Sequence, residues 1–204
     1  MERIKFNESE ITGQYVEDRF GKSPIFNTPI TPLENMRALF NGENPVWMPL
    51  TSDCKGITPR IDPDNIARAF VFDGGEPIPE EQYGGKDMFG IEWVYVKQVG
   101  GSMVRPGAPL MTDVNDWKKF IKMPDVNSWD WEGCAKMNKE WIEKNKDYVI
   151  NLTFLNGTMF ERLISFMDFE GAALAVIDEE QKDAVKELCN TILEQVYFPY
   201  LENI

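Results

Sequence analysis

Tyr148-Val149-Ile150-Asn151-Leu152-Thr153-Phe154-Leu155, closed by the turn Asn156-Gly157-Thr158, decides how this 204-residue chain is read. Apolar and β-branched side chains occupy both alternating sets, the pattern of a strand covered on both faces, as in parallel sheets. Helical spacing flanks it. Upstream, Ser128 to Asn145 puts Trp131, Cys134, Asn138, Trp141 and Ile142 on one side of a helix. Downstream, helical patterns cover 159–167 and 169–176. Asp178-Glu179-Glu180-Gln181 then opens a helix to about Tyr197 with a capping box. A strand set between long helices favours parallel pairing and an α/β class.

A partner strand is expected at Pro45-Val46-Trp47-Met48-Pro49-Leu50, a short apolar run bounded by prolines, which opens into the loop Thr51-Ser52-Asp53-Cys54-Lys55-Gly56. Before it, Thr31-Pro32-Leu33-Glu34 combines an N-cap, a first-turn proline and a capping-box acid, and Gly42 stops the helix, so a helix is expected at 32–41. Residues 1–30, broken by Gly21, Pro24 and Pro29, read as a short helix or an arm. A short helix starts at Asp62-Pro63, and residues 73–90 read as a loop. Trp93–Val96 and Ser102–Val104 flank Gly100-Gly101 as a hairpin, and Asp113 caps a short helix carrying Trp117, Phe120 and Ile121.

Composition narrows the function. The charge is −13, with 21 basic against 34 acidic residues. That argues against nucleic acid and against anionic membrane surfaces, which need a basic footprint. Zero histidines remove Ser-His-Asp and Cys-His pairs and every His-based metal site, leaving Asp, Glu, Lys, Tyr or Cys for proton transfer. Cys54, Cys134 and Cys189 are scattered and form no CxxC, which fits a reducing cytoplasm and predicts no metal in the chain. The start, Met1-Glu2-Arg3-Ile4-Lys5, has no apolar signal core. The longest apolar run, Ala172 to Ile177, is far short of the ~20 residues of a membrane helix.

Gly84-Gly85-Lys86 lacks the spacing and the Ser or Thr of a P-loop and is read as a turn. Glu76, Glu80 and Glu81 read as a solvated loop, and Glu179, Glu180 and Asp183 as a helix start. Ligands of parallel α/β folds bind beyond the carboxyl ends of strands. That rule selects Thr51, Ser52 and Asp53 after one expected strand and Asn156 and Thr158 after the other. Trp93 is added as a stacking candidate.

Several segments resemble the uroporphyrinogen decarboxylase superfamily. They are Asn35 to Pro49 (its helix, "NGE-P" turn and first strand), Asp87-Met88-Phe89-Gly90-Ile91-Glu92-Trp93 (its "D-FG--W"), and the stretch from Pro109-Leu110 to Pro124-Asp125. Asn156 to Glu161 and residues 168–196 complete the set. The resemblance spans roughly residues 31–200. It implies the N-terminal portion of a (β/α)8 TIM barrel over 31–204, preceded by an arm at 1–30. A complete barrel takes about 250 residues, so the barrel is expected to be incomplete here.

Within the superfamily the methyl-transfer branch is the better likeness, because decarboxylases carry substrate-binding arginines just after the "PVW" strand and this chain has Asp53 there. The implied function is methyl transfer between a corrinoid protein and a thiol or folate-like acceptor. Zinc and a corrinoid are expected only with the C-terminal half of the barrel. Porphyrin-pathway decarboxylation is the alternative, and a non-catalytic corrinoid- or tetrapyrrole-binding module the second. A small-molecule substrate, self-association through uncovered apolar surface and a cytoplasmic location are expected. The helix over 179–197 is among the faces expected to lack cover.

Overall fold

The computed structural model describes residues 11–18, 21–75, 78–152 and 158–204. In chain order the strands are β1 (Ile11–Asp18), β2 (Gly21–Phe26), β3 (Cys54–Ile57), β4 (Gly85–Lys86), β5 (Glu92–Val96), β6 (Gly101–Val104) and β7 (Val149–Leu152). The helices are α1 (Pro32–Phe40), α2 (Pro63–Ala67), α3 (Trp117–Phe120), α4 (Trp131–Lys144), α5 (Met159–Ile177), α6 (Lys182–Ile192) and α7 (Phe198–Asn203). The architecture is mixed α/β, with three small sheets and no closed barrel among the described residues. No described helix is long and apolar enough to cross a membrane. The chain divides into two units, one of residues 1–57 and 139–152, the other of 58–138 and 153–204.

In the first unit, β1 and β2 form an antiparallel hairpin, which corrects the short helix, one of the two expectations over 1–30. Gly21 opens the second strand and Pro24 pairs across from Tyr15. A two-stranded ribbon has an outward edge on each strand, where a missing N–H costs nothing. α1 forms as expected: Thr31 Oγ accepts from Glu34 N, and Thr31 N donates to Glu34 Oε2 at 2.8 Å. Such a cap stabilises a helix by about 1 kcal/mol.

The expected strand at 45–50 is absent. Asn35, fully buried on α1, takes its place: its Oδ1 accepts from Val46 N and Trp47 N, and its Nδ2 donates to Trp47 O. One side chain thus satisfies the backbone that a ladder would have satisfied, and Pro45 and Pro49 suit this irregular path. The strand lies later, at Cys54–Ile57. It pairs in parallel with β7, Cys54 opposite Val149 and Ile57 opposite Leu152. The parallel expectation therefore holds with a different partner strand. β7 is observed as Val149–Leu152, and the rest of the expected strand, 153–155, lies outside the described residues.

In the second unit, β4, β5 and β6 make an antiparallel sheet, with Trp93 opposite Val104 and Val96 opposite Gly101, as the hairpin signal predicts. The core collects Val114, Val126, Leu163, Phe166, Leu188, Ile192, Val196 and Tyr200. Trp129 and Trp131 lie edge-on to the Tyr200 ring at 6.1 and 5.0 Å. This overturns the expectation that the helix over 179–197 lacks cover, since its Leu188, Ile192 and Val196 are completely buried. The turn widens to a π segment at Leu193–Tyr197, ahead of Pro199, which has no N–H to continue the regular ladder.

α5 is two helices in one. Asp168, with φ 60° and ψ 172°, breaks it at the residue that separates the two helical patterns in the sequence. The break frees the Phe166 carbonyl, which accepts from Leu110 N and Met111 N, while Asp168 Oδ2 accepts from Gly107 N at 2.9 Å. A non-glycine residue in this region costs roughly 1–3 kcal/mol, and the lacing to residues 107–111 holds it.

Candidate functional site

The first strand of the parallel pair starts later than the strand-end rule requires. β3 begins at Cys54, so Thr51, Ser52 and Asp53 precede the strand instead of following it. Thr51 and Ser52 are exposed. Asp53 is buried in a local turn, its Oδ2 accepting from Trp47 Nε1 at 2.8 Å and Leu50 N at 2.9 Å. Asn156 lies outside the described residues. Thr158 is the exposed N-cap of α5, reciprocally bonded with Glu161. Trp93, in contrast, borders a buried cluster of charged side chains, touching Asp87 and Arg68.

That cluster is assembled from three elements of the second unit. Asp62 caps α2, accepting from Asp64 N at 2.8 Å, and Pro63 starts the helix. The four-residue spacing of Asp64 and Arg68 puts both on one side, and both are buried. The second element is the loop from Asp87. Its Oδ1 accepts from Phe89 N and Ile91 N, each at 2.9 Å; its Oδ2 accepts from Trp93 Nε1 at 2.9 Å and Arg162 Nη1 at 2.5 Å. Gly90, at φ +78°, lets the loop turn tightly enough. The Asp87-Met88-Phe89-Gly90-Ile91-Glu92-Trp93 motif is thus one hydrogen-bonded unit. The third element is the first half of α5. It delivers Arg162, 2% exposed, between Asp64 and Asp87, with its guanidinium over the Phe89 ring at 4.8 Å.

Two guanidiniums, Arg68 and Arg162, face three carboxyls, Asp62, Asp64 and Asp87. Burial works against the charge on Arg162, but Asp64 and Asp87 overcome it and hold its pKa above the ordinary value. Burial, and then the charge of Asp64, push the Asp62 carboxyl well above the usual carboxylate range. Paired buried charges of this kind cost much to break.

Arg68 connects the cluster to open space. Its guanidinium lies 4.2 Å over the Trp93 ring, and its Nη1 is 3.6 Å from Glu161 Oε2. It forms part of the wall of a cavity of about 650 Å3 between the β5–β6 hairpin and α5. Trp93, Met103, Val104, Ile164 and Phe169 supply apolar wall, while Ser102, Glu161, Asp168 and Glu170 supply polar groups. Concave, mostly apolar walls with a few placed polar groups are what small-molecule sites have in common. Among the described residues no cysteine or lysine lines the cavity, and its ionisable groups besides Arg68 are the carboxylates Glu161, Asp168 and Glu170.

Sequence reasoning missed Asp64, Arg68, Asp87, Ser102 and Arg162 as site residues. A signal existed for Arg162: a lone cation in the largely apolar run Met159 to Met167, whose other polar residues are Glu161 and Ser165. Elsewhere, Glu80 and Glu81 are exposed, and Glu80 pairs with Lys97 at 3.0 Å. Burial raises the thiol pKa of Cys134 and Cys189, which makes them less reactive. Among the described residues no three Cys, Asp or Glu side chains converge as metal ligands.

Compared with protein-family models, with curated proteins and with solved structures, the chain matches none. The geometry of the cavity and of the strands therefore carries the functional argument.

Proposed function

We propose that this chain forms the N-terminal part of a uroporphyrinogen-decarboxylase-like (β/α)8 barrel of the methyl-transfer type, working with a corrinoid protein as methyl donor. The observation that carries this reading is the parallel pair β3–β7. Parallel strands belong in sheets covered on both faces with neighbours on both edges. Here each outer edge is unpaired among the described residues, and Gly56 and Asn151 are exposed. Such a pair has the form of two adjacent barrel strands that further strands would flank. The motif from Asp87 to Trp93 supports the same reading, because it folds as one hydrogen-bonded unit whose last residue, Trp93, lines the cavity.

The charge distribution favours methyl transfer over decarboxylation. A porphyrinogen with many carboxylates needs several free cations. Arg60 is held bidentately by Asp73 at 2.8 Å, and Arg162 is sealed between two aspartates. Among the described residues Arg68 is the one cation that lines the cavity, among Glu161, Asp168 and Glu170. The three scattered cysteines, with no histidine, do not fit a zinc site, so no step is routed through zinc here.

The test uses the polypeptide or complex that carries this sequence in its cell of origin, captured intact. It is incubated with methylcobalamin and 2-mercaptoethanesulfonate, with and without added zinc. Thiol-dependent loss of the cobalt–methyl absorption is expected. Loss of carboxyl groups from uroporphyrinogen without demethylation would replace this reading by decarboxylation. Neither reaction would leave a binding module.

A further inference from the structure

We infer that the cavity between the β5–β6 hairpin and α5 is a site for a small monocarboxylate with a compact apolar body. Its volume of about 650 Å3 suits a small molecule. Two donors on residues that line it, Arg68 Nε and Ser102 Oγ, are buried without a hydrogen-bond partner among the described residues. Buried polar groups are rarely left in that state, and a carboxylate brings the acceptors both lack. The Arg68 guanidinium is also under-used at its tip. Its contact with Glu161, at 3.6 Å, is longer than a hydrogen bond, and the Glu161 side chain is half exposed. A ligand carboxylate at ordinary hydrogen-bond length would displace it.

The site is also held in advance. Stacking on Trp93 fixes the plane of Arg68, and Trp93 is fixed in turn by its bond to Asp87. The walls then set the rest of the ligand. Met103, Val104, Ile164 and Phe169 ask for an apolar body. Glu161, Asp168 and Glu170 repel a second negative charge, which excludes dicarboxylates and favours one carboxylate over a dianionic phosphate. The inference rests on the preceding reading for the ligand's role as a substrate, but binding is measured without any methyl transfer, so the two fail separately.

The test is calorimetric titration of the full chain with 3-phenylpropionate, against 3-phenylpropanol, phenylsuccinate and phenyl phosphate. One saturable site for the monocarboxylate is expected, with the alcohol weaker by about tenfold or more, as for loss of a charge-assisted pair. Phenylsuccinate and phenyl phosphate should also bind less tightly. Arg68→Met should weaken the acid by about tenfold and leave the alcohol unchanged. Ser102→Ala should weaken it severalfold. Glu161→Gln keeps the capping box but removes the competing charge, and should tighten binding severalfold.

If Arg68→Met fails to fold by circular dichroism, Ser102→Ala and Glu161→Gln decide. The inference is overturned by equal affinity for acid and alcohol, by tighter binding of either dianion, or by weaker binding in Glu161→Gln. It is equally overturned if the folded chain shows no saturable binding. Methyl transfer without this binding would sink the inference alone; binding without methyl transfer would sink the reaction alone.

Discussion

The Arg162 cluster and the parallel pair β3–β7 both join residues far apart in sequence, yet the first has every carboxylate oxygen of Asp64 and Asp87 occupied and the second has outer edges unpaired among the described residues. At Arg162, both oxygens of Asp64 and of Asp87 are occupied, by Met88 N, Phe89 N, Ile91 N, Trp93 Nε1 and the guanidinium itself. In the parallel pair, four residues meet four, Val149 and Ile150 are half-buried, and neither outer edge is paired among the described residues. A buried ionic cluster is complete as soon as its few partners are present. A parallel sheet is complete only when its neighbours are.

The largest break in this comparison should come from Arg162→Met. It leaves Asp64 and Asp87 buried without their cation and should cost about 3–5 kcal/mol in urea unfolding. Next, Leu188→Ala removes a completely buried side chain and should cost about 2–5 kcal/mol, whereas Ile150→Ala in the parallel pair should cost about 1 kcal/mol. An Ile150→Ala cost equal to that of Leu188→Ala would show the pair to be as fully packed as the helical core.

A smaller, pH-dependent effect belongs to Asp62. Burial raises its folded-state pKa above the unfolded value of about 3.9. From about pH 4 upward through the raised value, the folded chain holds a proton that the unfolded chain has lost, so stability falls as pH rises. Asp62→Asn cannot ionise and keeps an oxygen to cap α2. Its stability margin over the parent should grow across that window by about 1.4 kcal/mol for each unit by which the carboxyl is raised. A margin that shrinks as pH rises would contradict the assignment.

The sequence was most legible where short-range chemistry decides. Thr31 and Glu34 mark the start of α1, Gly100-Gly101 the hairpin, and the change of phase at Asp168 the break in α5. It was misleading where one distant side chain replaced a ladder. Nothing near Pro45–Leu50 announces that Asn35 will take up its backbone bonds, so the strand was expected there and the strand-end rule then selected residues ahead of β3. The site was legible only at Trp93. Asp64, Asp87 and Arg162 are separated by long stretches of chain, and no spacing rule pairs an aspartate cap, an aspartate turn and a helical arginine before the fold brings them together.

Amide hydrogen exchange tests most directly whether the parallel pair awaits neighbouring strands. It is to be measured on the chain alone and on the intact species captured from its cell. In the chain alone, amides of Leu163–Met167 in α5 should exchange only through global unfolding, while those of β3 and β7 exchange by local opening. In the intact species the β3 and β7 amides should slow by about a hundredfold or more, as further strands pair with the open edges. Equal protection of β3 and β7 in the two samples would show that nothing is added at those edges, and would contradict the barrel reading.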